Sequence, residues 1–507
     1  MSKFINNLYI TYKHARRWDM AGESILYSWI GVVLYFILII AVTIKYYAKI
    51  KSLSDFIVAG RSLGLFVTWG TILATWFCSG TALGGAMMAY LFGLRGVIMD
   101  PIGSGLSVVI FGIFFASTLR RLRYLTISDF FRTRYGPEME IASAVVQILG
   151  YIGWLGGLLM AQSIVFQVLL GVNYEIGLYV ATISTAIYTA LGGLLAVAIL
   201  DFLRVFIFWI AMWILLAIGI AHVGGFGALA SLGSDAFSIL PGKDFEYLGY
   251  IGFFGILYYI ASWINQGLGS LSCQDLVQRA LSARDERTSR NASILAGVSY
   301  WIIGLTGGAL IGLLGRIIVP NLEDPSMVMV AVAERVLPPA LFALFITGLL
   351  ATIMSSSDSA ALIPPSMFIN NILPYMTKRE ISEALKLKLV RLLTIISTIG
   401  ALLIALYLPH LYFLTQMAWY LMLFVQAIPF IMGIYWKKAN RIGAVAQMVF
   451  NVLAWIILGI YFYNQTNDVW AAFYMPGPLI LPIGFIVFIV VSVLTQKSHP
   501  PKQLTPL

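Results

Sequence analysis

Charge is what this 507-residue chain has least of: Asp, Glu, Lys and Arg make up 11% of it, against roughly 25% in soluble domains, while 60% of it is hydrophobic. That balance excludes a soluble globular domain and marks a polytopic membrane protein. Cysteine is scarce as well. Cys78 and Cys273, the two present, lie in or beside apolar runs, which argues against a disulfide framework or a thiolate metal centre. The four histidines, His14, His222, His410 and His499, form no H-E-x-x-H pairing, so the chain does not read as an enzyme. It has no G-x-x-x-x-G-K-[ST] loop either, so uphill movement of a solute would draw on an ion gradient. Residues 1–24 hold no apolar h-region, and the first span therefore reads as an uncleaved anchor.

Apolar runs are abundant. Stretches of about 20 residues, enough to cross a ~30 Å hydrocarbon core, recur along the whole chain. They fall near 28–47, 64–92, 96–117, 139–170, 175–193, 196–222, 247–270, 292–316, 339–372, 389–408, 411–433, 440–462 and 474–496, which predicts about 13 transmembrane helices. An odd number puts the termini on opposite sides. The side of the N-terminus collects Lys3, Lys13, Arg16, Arg17, Arg95, Lys243, Arg316 and Arg335, only 8 of the 32 Lys and Arg. The basic runs RRLRYLTISDFFRTR (120–134), QRALSARDERTSR (278–290) and TKREISEALKLKLVR (377–391) fall on the other side. The positive-inside rule makes that side cytoplasmic, with the N-terminus outside and the C-terminus inside a cell membrane, plasma or inner. The net charge of +10 is then mostly topological, and no nucleic-acid partner is expected. The lipid bilayer is the expected surrounding, and the chain is expected to be monomeric or weakly oligomeric.

Polar groups at membrane depth persist only with a partner or a wet cavity. They are Asp100, Asp201, Arg204, Asn265, Gln266 and Asp358. Around Asp358 runs ATIMSSSDSA (351–360), where Thr352, Ser355, Ser356 and Ser359 recur at i, i+3, i+4 and i+7 on one helical face. Such serines can back-bond to their own helix or admit a close neighbour. With a carboxylate among them they can also bind a hard cation. Carbonyls from a broken helix would complete that site. Two spans carry glycine interruptions: ATWFCSGTALGGAMMAY (74–90) and NQGLGSLSCQD (265–275). Lying five spans apart, they suggest an inverted repeat of spans 2–6 and 7–11. The chain then divides into 1–63, with span 1; a first repeat, 64–222; a second repeat, 223–433; and 434–507, with spans 12–13 and the tail.

AGRSLG (59–64), YTALGGLLAVAILD (188–201), QRALSA (278–283) and ATIMSSSDSA itself, in that order and at those topological positions, resemble the sodium:solute symporters. The resemblance runs from about residue 30 to 460. It implies an all-α membrane fold with a LeuT-type core of two inverted five-helix repeats, and sodium-coupled import of a small organic solute by alternating access. A transporter-like membrane sensor is the alternative. The family's shared sodium site would use the Ser355 and Ser356 hydroxyls with the carbonyls of Thr352, Ala74 and Phe77. A further sodium site of some members maps onto Asp201, Ser355, Asp358 and Ser359. Arg204 departs from the family pattern there, so an ion site and an internal salt bridge both remain open.

For the solute, the resemblance nominates Trp76, Asp100, Trp154, Cys273 and Gln274. Trp76 and Trp154 match two rings of a choline-transporter-like cage, which would hold an ammonium by cation–π attraction. Either tryptophan could instead pack in the core, and Asp100, followed by Pro101, could cap its own helix. Cys273 stands where the cage needs a third ring, which argues against choline and for another amine or an amino-acid-like solute, with Asp100 as counter-charge. Pro364-Pro365 should kink or end the helix of span 9 on its cytoplasmic side.

Overall fold

The computed structural model describes residues 22–377, 380–407 and 419–506. Lys3, Lys13, Arg16, Arg17, His14, His410 and the beginning of the span expected at 411–433 lie outside the described residues. Among the described residues nine helices are long and apolar enough to cross a bilayer, and Leu65–Trp76 and Trp419–Tyr435 are shorter apolar helices. The β-structure among them is confined to two isolated bridges, Leu63 with Ala283 and Tyr247 with Tyr250. Helices answer the demand of a hydrocarbon solvent, in which every backbone donor and acceptor must be satisfied internally.

The chain enters through α1 (Gly22–Tyr47), whose outward face is a row of exposed apolar side chains, including Leu34, Ile37 and Ile44. After a short helix, Leu53–Val58, comes α2 (Leu65–Trp76), which stops where Phe77 leaves helical dihedrals (φ −79, ψ 79). The chain then resumes through a wide turn, Gly80–Gly84, into α3 (Gly85–Phe92). The first glycine-interrupted span is therefore a broken helix. Beyond α4 (Ser104–Phe114) and α5 (Ile127–Tyr135) come α6 (Pro137–Leu170) and α7 (Tyr174–His222). At 49 residues α7 would reach about 73 Å if straight, more than twice a hydrocarbon core. Gly193 (φ 51, ψ −170) interrupts it between the two expected spans. Only glycine takes up that left-handed backbone readily, and here the side chain of Phe56 also lies 2.9 Å from where a Cβ would stand.

The second glycine-interrupted span breaks too. Helix α8 (Gly252–Gly269) ends in a single 3₁₀ turn, Cys273 is extended (ψ 139), and α9 (Gln274–Ser282) follows. Next come α10 (Glu286–Ile303) and α11 (Leu310–Ile318). Gly312 of α11 sits against α3, and a Cβ built on it would lie 2.2 Å from the Ala86 carbonyl oxygen. Since a backbone atom cannot swing aside, Gly312→Ala is expected to force the two helices apart and cost about 1–3 kcal/mol. Thermal unfolding of the detergent-purified variant checks this, and an unchanged midpoint would show that the crossing can relax.

Helix α12 (Pro339–Met367) packs against α1, α6 and α7 and is buried on every side from Phe345 to Met367. Of the two expectations for Pro364-Pro365, a kink or an end on the cytoplasmic side, the end is corrected. The helix runs through both prolines and on through a wide turn, Phe368–Ile372, to Met376. Packing on all faces outweighs the loss of two amide donors, and Asn370 and Asn371 anchor the far end on the Asp129 carboxylate at 2.9 Å each.

Helices α13 (Glu383–Tyr407), α14 (Trp419–Tyr435), α15 (Arg441–Thr466) and α16 (Gly477–Leu494) complete the described bundle. The basic runs meet at one end of it. There Arg121 pairs with Glu286 at 2.8 Å, and Arg134 donates to the Gly433 and Trp436 carbonyls. Tyr124 donates to the Thr505 carbonyl, so the tail lies against the same end. Arg95, with Asp235 and Glu246, belongs to a separate set of loops.

Candidate functional site

Hydroxyls of α12 meet the broken end of α2. Ser356 Oγ donates to the Thr75 carbonyl at 2.8 Å, so the serine face touches the last turn of α2, with Ala74 and Phe77 on either side of the contact. Thr352, Ser355, Ser356 and Ser359 are all buried there. A donating hydroxyl keeps lone pairs for a cation, and the dihedral break frees the end of α2 from regular helical bonding. This arrangement suits a sodium ion, a weakly charged hard cation that takes neutral oxygens.

One turn deeper, the polar face continues into a cluster of charges. Asp201 Oδ1 accepts from Ser355 Oγ at 2.6 Å and from Arg204 at 3.4 Å. Its Oδ2 accepts from Thr71 Oγ1 at 2.6 Å and lies 3.5 Å from Arg279. Asp358 Oδ2 accepts from Arg204 Nη1 at 2.6 Å, and Oδ1 accepts from Thr189 at 3.3 Å. Ser359 Oγ accepts from Arg279 Nη2 at 2.5 Å. The fold brings Asp201, Ser355, Asp358 and Ser359 together, with two guanidinium groups among them. Arg279 was not foreseen: it belongs to QRALSA, a motif that reads as a basic loop after its span, whereas it is fully buried in α9.

On the other side of the α2 break lies a cavity. Among its lining residues are Trp76, Trp154, Trp419, Tyr300, Asp100 and Asp275. The Trp419 ring stacks on Trp76 (centroids 6.1 Å apart, planes at 24°) and meets Trp154 edge-on at 5.4 Å. Tyr300 approaches Trp76 edge-on at 6.3 Å. Asp100 takes hydrogen bonds from Thr81 at 2.9 Å and from Tyr300, side chains on other segments, so it is held across the bundle. Asp275 accepts from Tyr151 at 2.7 Å and from the Leu276 amide at 2.8 Å. None of the ion pairs among the described residues includes Asp100 or Asp275.

Two nominated residues stand elsewhere. Cys273 is fully buried, its Sγ donating to the Ser270 carbonyl, and Gln274 spends its side chain on the Ile127 amide at 2.7 Å, away from the cavity. A third tryptophan ring at the cavity comes from Trp419 on α14. Gln266, noted in the sequence only as a polar group in its span, also lines the cavity. Thr75 joins both halves of the site. It is one of the residues lining the cavity, its carbonyl receives Ser356, and its hydroxyl lies 3.3 Å from Ser359 Oγ.

Residues 56–450 match the model of the sodium:solute symporter family. The chain is 27% identical to the High-affinity choline transporter 1 of Drosophila melanogaster, over 83% of this chain and 69% of that one. It is 24% identical to the osmoregulated proline transporter OpuE of Bacillus subtilis, covering 92% and 95% of the two chains. With the sodium/pantothenate symporter of Escherichia coli it shares 27% identity, over 80% and 84%. Among solved structures, it superposes on a substrate-bound, outward-open Na+-coupled sialic acid symporter with a TM-score of 0.75 at 17% identity, covering 94% of this chain and 99% of that one.

Proposed function

Since the chain belongs to the sodium:solute symporter family, we propose that the small solute it symports with sodium is an organic ammonium ion. The observation that carries this reading is the pair of buried carboxylates, Asp100 and Asp275, that wall one aromatic cavity and enter no ion pair among the described residues; the nearby Arg279 donates to the Asp275 backbone carbonyl at 3.2 Å, not to its carboxylate. A buried carboxylate is costly unless paired, and a cationic solute would supply the missing partner. Trp76, Trp154 and Trp419 would offer ring faces to the same charge, each worth about 0.5–2 kcal/mol. Sodium would bind at Ser355 and Ser356 with carbonyls of Thr352, Ala74 and Phe77, an assignment supported by the contact of Ser356 with the end of α2.

The fold is of the LeuT type, nearly all helical and multi-pass. We infer that its inverted repeats are 64–222 and 223–433, since the breaks at Phe77 and Cys273 then hold equivalent places. The end where the basic runs meet would be cytoplasmic, in a plasma or inner membrane, with the tail inside and the N-terminus outside.

The experiment is a thermal-shift series on the purified protein with small alkylammonium ions, their neutral isosteres and zwitterionic amino acids, each in sodium and in potassium. Ligand binding raises stability by RT ln(1 + [L]/Kd), so only the ammonium ions should raise the midpoint, and more strongly in sodium. An equal response to neutral isosteres would remove the carboxylates from recognition.

A further inference from the structure

We propose that Arg204 and Arg279 are built-in cations standing where a second coupling sodium would sit, so that one sodium drives each transport cycle. This rests on the family's sodium coupling and is independent of which solute is carried.

The buried cluster has the ingredients of a cation site: two carboxylates, Asp201 and Asp358, and the hydroxyls of Thr71, Thr189, Ser355 and Ser359. Each carboxylate oxygen already accepts a hydrogen bond. Arg204 Nη1 bridges Asp358 at 2.6 Å and Asp201 at 3.4 Å, spanning α7 and α12. Arg279 reaches in from α9, where its Nε donates to the Thr71 hydroxyl and carbonyl at 3.0 and 3.1 Å. Two negative and two positive charges cancel. Inside a membrane protein that neutrality matters, because a sodium ion added to the cluster would leave a net positive charge where water cannot screen it.

The guanidiniums are also fixed in place. Among the described residues Nε and Nη2 of Arg204 have no hydrogen-bond partner. Its guanidinium instead lies over the rings of Tyr35 and Tyr188, with centroids 5.7 and 6.0 Å away. These contacts hold a cation without a polar escape route. Among the described residues the Ser356 hydroxyl pairs with no guanidinium and donates to a neutral carbonyl, which leaves that face to an exchangeable ion.

The proposal predicts a count. Equilibrium binding of ²²Na+ to the purified protein in detergent, without any solute, should saturate at one ion per chain. Arg204→Gln should add a second ion per chain, because it uncovers the Asp201–Asp358 pair, and Arg204→Gln combined with Asp358→Ser should return the count to one. Two ions per chain in the unaltered protein would overturn the proposal, as would an Arg204→Gln variant that stays at one. Should that variant fail to fold, the count on the unaltered protein still decides. Because no solute is present, failure of the ammonium reading leaves this result untouched.

Discussion

Ser356→Ala should raise the sodium concentration for half-maximal transport by about tenfold or more, with the half-saturating solute concentration changing far less. The hydroxyl lost is the one that reaches the end of α2, at 2.8 Å from the Thr75 carbonyl. Leaving a buried acceptor unsatisfied costs about 1–3 kcal/mol, and each 1.4 kcal/mol is a factor of ten. Ser355 is a less clean probe, because its hydroxyl also donates to Asp201 and its loss would disturb the charge cluster. Sodium titrations of uptake in proteoliposomes, at saturating solute, provide the measurement. An unchanged half-saturation in Ser356→Ala would detach sodium from this face of α12.

Trp419→Ala should act in the opposite sense, weakening the solute by about tenfold or more and sodium much less. The ring stacks on Trp76 and meets Trp154, so its removal takes away one face of the cage and loosens two others. A cation–π contact worth about 0.5–2 kcal/mol, together with lost packing, accounts for that size. Trp419→Phe keeps a ring and should recover part of the affinity. Concentration series of solute uptake in fixed sodium separate the outcomes, and an equal loss for both ligands would make Trp419 a packing residue.

What could be read in advance follows the range of the interactions. The spans were legible because hydropathy is local, and both broken helices because Gly80, Gly84, Gly85, Gly267 and Gly269 punctuate apolar runs. The serine face was legible because i, i+3, i+4 and i+7 positions share a side of any helix. Trp419 and Tyr300 escaped because only the packing of α14 and α10 against α2 brings their rings to Trp76. Gln274 and Asp275 show how sensitive a site is to phase. They are neighbours at the start of α9, yet Asp275 lines the cavity while Gln274 serves the 125–127 loop. Arg279 was hidden by its company, since a motif with basic neighbours on a loop gives no sign that one arginine turns inward to Asp201.

Thr75 has a thermodynamic consequence. One residue presents its backbone oxygen to Ser356 and also lines the cavity, so under the proposed assignment whatever shifts the end of α2 to suit one ligand would also move a wall of the other's compartment. Linkage then requires reciprocity: the factor by which sodium tightens the solute must equal the factor by which the solute tightens sodium. A residue placed in this way transmits work in both directions, and a change at position 75 would alter both factors together.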